Sequence, residues 1–328
     1  MQSVLLAEWL NVSGSQHQPV LADEVTQLLA PRRTDVIVDC TFGAGGHARR
    51  LAHGLGAEGT YIAIDRDPGA RAHFDDFSKD VVCRTRFMAG DFASALAVLA
   101  SEGLEADVLL MDLGVSSMQI DTPERGFSYA TDAPLDMRMD PSLPTSAADL
   151  VAHAPEDDLR RWMRDYGEER YAGRIARAIV QHRAETSIDT TGELVEVIRS
   201  AVPAPANFAA GHPAKRVFQA LRIAVNSELE NLDLALPRAF DLLSDGGRMA
   251  VISFHSLEDR RVKKYMRDQV RRELYPPDVP VRGETAESLA EQLTPRAVQA
   301  RASELDENPR ARPARLRAIR RRKGPEAV

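Results

Sequence analysis

Three aspartates close three short apolar runs. Val36-Ile37-Val38 leads to Asp39, Tyr61-Ile62-Ala63-Ile64 to Asp65, and Val108-Leu109-Leu110-Met111 to Asp112. Apolar runs of this length, separated by helical stretches, predict parallel strands covered on both faces. Ligands of such sheets sit at the carboxyl ends of the strands, so the three carboxylates mark one crevice. Directly after the first run stands Asp39-Cys-Thr-Phe-Gly-Ala-Gly-Gly-His47. Gly43, Gly45 and Gly46 let the backbone bend sharply and approach a ligand with no Cβ in the way. The turn opens a helix whose amides can meet a polar or anionic group. A carboxylate at Asp65 can accept both hydroxyls of a ribose, so the spacing matches a nucleoside cofactor. Gly43-x-Gly45-x-x-Ala48 with Asp65 also fits the dinucleotide fingerprint. The glycines alone leave open a nicotinamide-dependent oxidoreductase, and equally a tight turn with no ligand.

A second group follows another apolar run, Arg248-Met249-Ala250-Val251-Ile252. His255, in Ser253-Phe254-His255-Ser256, falls at the same edge of the sheet, where a titrating histidine can take up a proton; the alternative is a structural histidine. Cys40 and Cys83 have no metal-like spacing and read as buried thiols, so no metal is expected.

The elements that position these residues fall into three regions. The chain has 328 residues, 44% of them hydrophobic and only 5% aromatic, so its core must be mostly aliphatic. Up to Val115 the pattern is that of an α/β sheet. From Ile120 to Val225 the period becomes helical: Leu194, Val197, Ile198 and Ala201 follow a Thr190-x-x-Glu193 capping box, and Ile175 and Ile179 share one helix face. Arg170, Arg174 and Arg177 line another face, suited to phosphates or simply solvated. Gly246-Gly247 then returns the chain to the sheet. The expected division is a discontinuous sheet domain of residues 1–119 and 226–328, interrupted by a helical insertion over 120–225. Pro276, Pro277 and Pro280 predict a long irregular stretch.

The net charge is -7, yet Arg310 to Lys323 carry eight basic residues and no acid. An acidic body with a basic end reads as a charge-seeking arm. The rival reading packs the tail onto the body, with Leu316 and Ile319 as anchors. No apolar stretch approaches the length of a membrane helix, and the N-terminus has neither the basic start nor the cleavage site of a signal peptide. A cytoplasmic protein is expected.

The full set of motifs resembles the bacterial small-subunit (16S) rRNA cytosine-N4 methyltransferase family, over about His17 to Arg317. The matching strings are His17-x-Pro-Val-Leu21, Thr41-Phe-Gly-x-Gly-Gly-His47, Ala63-Ile-Asp-Arg-Asp-Pro68, Asp112-Leu-Gly-Val-Ser-Ser117, Arg125-Gly-Phe-Ser128 and Pro134-Leu-Asp-Met-Arg-Met-Asp140. They continue with Tyr166-Gly-Glu-Glu-Arg170, Arg216-Val-Phe-Gln219, Val225-Asn-Ser-Glu-Leu229, Ile252-Ser-Phe-His-Ser-Leu-Glu-Asp259 and Asn308-Pro-Arg-Ala-Arg312. The resemblance implies a class I, Rossmann-like methyltransferase fold with an inserted helical domain, S-adenosylmethionine as cofactor and small-subunit rRNA as partner. It implies that Gly45, Gly46 and His47 hold the methionine part of the cofactor, Asp65 its ribose and Phe92 its adenine. Asp112 and Gln119 complete the site near the methyl group.

Methylating the exocyclic N4 of cytosine requires in-line placement of the amine and an acceptor for its hydrogens. Asp112 is the best candidate for that acceptor, with His255 second. Other amino-methyltransferases carry an Asp/Asn/Ser-Pro-Pro-aromatic motif after the fourth strand. Here Asp112-Leu-Gly-Val115 stands instead, which leaves Phe127 and Phe254 as candidates to stack on the base. Arg170, Arg174, Arg177, Lys215, Arg216, Arg310, Arg312, Arg315 and Arg317 are the candidates for RNA contact. A target base must be presented unpaired or flipped. An assembly factor that has kept this fold but lost catalysis is the third reading.

Overall fold

Side chains of a strand alternate between the two faces of its sheet, and this protein fills both faces with apolar residues. The computed structural model describes residues 19–207, 213–273, 285–286 and 288–323. His17 and the prolines 276, 277 and 280 lie outside the described residues. Strands β1 (Val36–Asp39), β2 (Thr60–Asp65), β3 (Arg84–Ala89), β4 (Ala106–Asp112) and β5 (Leu243–Ser253) run parallel. β6 (Arg272–Glu273) and β7 (Thr285–Ala286) form a separate pair. β8 (Ala290–Gln292) and β9 (Arg315–Arg321) complete a seven-stranded sheet in the order β3-β2-β1-β4-β5-β9-β8, β9 lying antiparallel to both its neighbours. The strand order reverses between β1 and β4, the switch point at which such sheets open a ligand crevice.

Ile37, Tyr61, Ala63, Val108 and Leu110 face helices α1 (Ala22–Leu29), α2 (Gly46–Ala52) and α3 (Ala70–Asp80). Val38, Ile62, Ile64, Leu109 and Met111 face the opposite layer, which begins with α4 (Phe92–Ser101). Five aromatic residues form one cluster on the α1–α3 side of the sheet. Phe42, Tyr61, Phe74, Phe77 and Phe87 meet edge-on or tilted, with ring centroids 5.1–6.1 Å apart, under the glycine-rich turn.

Between β4 and β5 the chain is helical: α5 (Ser117–Ile120), a 3-10 turn at Pro123–Arg125, then α6 (Ala147–His153), α7 (Glu156–Asp165), α8 (Ala172–Arg183), α9 (Thr191–Ala201), α10 (Ala204–Asn207) and α11 (Pro213–Asn226). These helices enclose an apolar cluster of their own, which includes Leu159, Ile175, Ile179, Leu194, Ile198 and Leu221. Thr190 and Glu193 form the capping box that opens α9, each accepting from the other's backbone amide. α12 (Glu228–Leu242) and α13 (Ser256–Val270) then return to the sheet and complete the α4 layer. Among the described residues, no helix is long and apolar enough to cross a membrane.

The basic tail is not a free arm. Arg315–Arg321 is a strand between β5 and β8, with Leu316, Ala318 and Ile319 fully buried. Its alternation of arginine with apolar residues is the period of a strand, and the charge count concealed that period. The arginines also have partners within the chain. Arg317 makes two hydrogen bonds to Asp259 at 2.7 and 3.1 Å, Arg320 pairs with Glu291, and Arg321 donates to the carbonyls of Phe240, Asp241 and Leu243. Arg310 pairs with Asp121 at 2.6 Å.

Cutting the chain after Asn308 therefore removes an internal strand. The expected outcome is loss of the cooperative thermal transition by circular dichroism, and Leu316→Ala alone should cost about 2–5 kcal/mol. A truncated protein that melts like the full chain would restore the free-arm reading.

Candidate functional site

The crevice is built at the carboxyl ends of β1, β2 and β4. After β1 the backbone turns through Gly43 (φ 56) and Gly45 (φ 77), a left-handed region that favours glycine. A Cβ on Gly45 would stand 2.9 Å from the Phe42 ring, so the turn is closed around that side chain. Asp65 holds the turn to β2: its Oδ2 accepts the Gly43 amide at 2.7 Å and its Oδ1 the Asp67 amide at 2.8 Å. A carboxylate offers roughly four acceptor positions, so each oxygen can accept a further hydroxyl. Burial pushes the Asp65 carboxyl up to about 6, against the two amides that favour its ionised form.

The three strand-end aspartates do not act alike. Asp39 is 1% exposed and does not line the crevice. Its oxygens accept from the Tyr61 hydroxyl at 2.8 Å and the Thr41 amide at 3.1 Å, which makes it a support beneath the turn. This corrects the expectation of three carboxylates in one crevice. Asp112 is the opposite case. Its backbone amide donates to Thr41 Oγ1, but its side-chain Oδ1 is buried with no hydrogen-bond partner. Burial raises its carboxyl to about 8, reinforced by the negative charges of Asp39 and Glu258. His47, on the first turn of α2, is buried, and its Nε2 lies 3.6 Å from Asp112 Oδ2 with no hydrogen bond formed. Burial, then Arg50, lowers the imidazole to about 4, so His47 is neutral near pH 7. Two orphaned polar atoms thus meet beside the glycine turn, as in a site shaped for a polar ligand.

Phe92 begins α4 immediately after its cap Asp91 and is half-buried beyond the end of β3. Gln119 is 4% exposed, and its Nε2 donates to Asp67 Oδ2 at 2.9 Å while its Oε1 accepts the Ser116 amide. Phe254 packs against Gly114, where a Cβ would approach its ring to 3.3 Å, at the loop that follows Asp112. Phe127 packs on the helical cluster instead, with the Arg125 guanidinium 5.8 Å from its ring centroid.

His255 is tied into a charged cluster at the start of α13. Its Nε2 lies 3.1 Å from Glu258 Oε1, and Glu258 Oε2 accepts the amides of Phe254 and His255. Despite burial, Glu258 is held below the usual carboxylate range by His255 and Arg222. Glu228, His255 and Glu258 bring three ligand atoms within 4.8 Å of one another. Arg222, however, grips both Glu228 oxygens at 2.8 Å and supplies the cation that the cluster needs.

Among the expected RNA contacts, Arg170, Arg174 and Arg177 line an open groove of about 280 Å³ between α7 and α8, with Arg160 opposite. The Arg170 guanidinium lies 4.6 Å from the Tyr171 ring centroid. Lys215 and Arg312 are exposed. Arg216 is instead bound to the buried Glu169, and Arg317 to Asp259, so these two guanidinia are committed within the chain. Arg315 lies opposite Ser253 at the crevice end of β5, with its Nη1 buried and unpartnered.

The sequence reading did not single out Asp67, Arg125 or Asn226, which are interlinked by hydrogen bonds around the end of β2. All three lie inside the distinctive strings Ala63–Pro68, Arg125–Ser128 and Val225–Leu229. The signal was present, but nothing in the sequence joined the strings in space.

The chain is similar in sequence to proteins of known name. A ribosomal RNA small subunit methyltransferase H of Heliobacterium modesticaldum is 47% identical over 304 residues, covering 92% of this chain and 97% of its own. One from Thioalkalivibrio sulfidiphilus is 47% identical over 308 residues, covering 93% and 97%. The crystal structure of an rRNA methylase from Streptococcus thermophilus covers 94% of this chain and all of its own at 9% identity, with a TM-score of 0.41. The family model described as the MraW methylase family matches residues 14–322, and with relatives this similar over nearly the whole chain, the protein belongs to that family.

Proposed function

We propose that the protein transfers a methyl group from S-adenosylmethionine to N4 of a cytosine in the decoding region of small-subunit ribosomal RNA. The observation that carries this reading is Asp112: a half-buried carboxyl whose Oδ1 is buried and unpartnered, facing neutral His47 beside a glycine turn that Asp65 fastens. Membership of the MraW methylase family sets the oxidoreductase reading aside.

The residues present fit the cofactor. Asp65 has acceptor capacity left for ribose hydroxyls, the backbone of Gly45 and Gly46 at the start of α2 would meet the methionine part, and His47 Nε2 is an unused polar atom beside them. Phe92 offers a ring to the adenine, and Gln119 is held rigidly at the crevice. When bound, the cofactor supplies an electrophilic sulfonium methyl. Asp112 accepts hydrogens of the N4 amine, which localises the nitrogen lone pair and takes the proton released on transfer. Arg170, Arg174 and Arg177 offer a phosphate-binding groove on the helical segment, residues 120–225, which serves as the RNA-substrate domain. A protein of this kind works in the cytoplasm.

Three outcomes are expected. Asp65→Ala weakens cofactor binding by calorimetry, each lost charge-assisted hydrogen bond costing ~1.5–3 kcal/mol at most, and lowers the melting temperature because the Gly43 amide loses its acceptor. Unchanged affinity would remove Asp65 from the site. Asp112→Asn leaves RNA affinity near wild type and slows single-turnover transfer roughly 10²-fold or more. Wild-type transfer in that variant would move the acceptor role to His255, and binding without any transfer in the wild type would favour the assembly factor.

The third outcome follows from the raised Asp112 carboxyl, about 8 in the ligand-free crevice. Below that pH the group is protonated, and a cationic cofactor must displace the proton. Cofactor affinity should therefore rise with pH on the acid side of about 8 and level off above it. Calorimetry at pH 7 in buffers of different ionisation enthalpy should record proton release that Asp112→Asn abolishes. A pH-independent affinity would contradict the role given to Asp112.

A further inference from the structure

Asp67, in the turn after β2, is a charged residue only 3% exposed. Its Oδ1 accepts the Gly69 amide, and its Oδ2 accepts both Gln119 Nε2 and Arg125 Nη1, all at 2.9 Å. Arg125 carries the link onward, since its Nη2 donates to the carbonyls of Arg138 and Met139, each at 2.9 Å. The Met139 amide donates to Asn226 Oδ1 at 2.8 Å, and Asn226 Nδ2 donates to the Met137 carbonyl at 2.7 Å. Arg66 Nη1 then donates to the Asn226 carbonyl at 2.9 Å, which closes a ring back to the turn after β2.

The backbone around this ring is held under constraint. Met137 (φ 61) and Ser227 (φ 48) adopt left-handed conformations without being glycine, and such residues persist only where their surroundings fix them. Gly126 (φ 70) passes so close to the chain that a Cβ would stand 2.3 Å from the Pro134 carbonyl oxygen.

The ring touches the ribose end of the crevice through residues 65–67. It touches the helical segment at its entry, through residues 119–139, and at its exit, through Asn226. We propose that Asp67 and Arg125 are positioning residues that hold the cofactor crevice and the helical segment in one register for methyl transfer. The proposal rests on the methyl-transfer reading above. Neither residue touches a reacting atom. In-line transfer tolerates little displacement, and a misplacement of about 1 Å introduced away from the chemistry can cost roughly 10²-fold in rate. A guanidinium fits the task because its fixed fork spans one carboxylate and two carbonyls, which a lysine ammonium does not. Asp67 Oδ2 also fixes the Gln119 amide, so a shift on the helical side reaches a side chain in the crevice.

The test uses the full chain with Arg125→Lys, which keeps a cation for Asp67 and gives up the two carbonyls, and Arg66→Gln, which opens the ring at its half-buried link to Asn226. Cofactor Kd, melting temperature, RNA KM and single-turnover kcat are measured with small-subunit particles. For Arg125→Lys, cofactor Kd and melting temperature should stay close to wild type, and KM should rise several-fold. kcat should fall about 10- to 100-fold. Arg66→Gln should move in the same direction by less. A wild-type kcat, or a loss of rate matched by loss of cofactor affinity and melting temperature, overturns the proposal. If the wild-type protein binds cofactor but transfers no methyl group, the underlying reading fails instead. The ring is then tested by RNA Kd, which should weaken several-fold in Arg125→Lys; an unchanged RNA Kd overturns it.

Discussion

A carboxylate taken out of water must find compensation, and the aspartates at the strand ends and in the turn after β2 show three ways of meeting that demand. Asp39 is compensated by a tyrosine hydroxyl and an amide, Asp65 by two amides of the turn it fastens, and Asp67 by an arginine, a glutamine and an amide. Asp112 has no such partner for Oδ1. The first three are spent on shaping the crevice, and the fourth, raised to about 8 while the crevice is empty, ionises for what enters. Much of the local architecture follows. The turn after β1 stays closed because Asp65 holds Gly43, and the start of the helical segment is anchored because Asp67 holds Arg125.

The sheet was readable because both of its faces are apolar. Runs such as Val108–Met111 admit few other placements, and each expected strand is present with alternate residues in opposite cores. Helix α9 was equally plain, because a capping box and a helical period coincide there. Of the two readings of the tail, the packed one with Leu316 and Ile319 as anchors holds, and the free-arm reading fails for a physical reason. Charge is conspicuous in a sequence, whereas the three fully buried residues Leu316, Ala318 and Ile319 that make β9 an internal strand are spaced among arginines. The ion pairs of Arg216 with Glu169 and of Arg317 with Asp259 span 47 and 58 residues, separations at which no local pattern marks a partner.

The candidate site was legible in its glycines and aspartates, whose roles depend on local turn geometry. It was opaque in Asp67, Arg125 and Asn226, whose roles exist only when β2, the loop after the 3-10 turn and the end of α11 meet. The chain thus divides its work. Short-range pattern makes the crevice, and long-range polar contacts set the crevice against the helical segment. Under the proposed function, that division leaves the helices between β4 and β5 to present the substrate to a crevice built elsewhere in the sequence.

The central claim is methylation at a cytosine amine, and its most direct test is mass mapping of small-subunit rRNA from cells with and without this gene. The expected result is one N4-methylcytosine in the decoding region that disappears with the gene. It should return with the wild-type chain and not with Asp112→Asn. An unchanged N4-methyl mark, or the loss of a methyl group from ribose or a ring carbon instead, would contradict it.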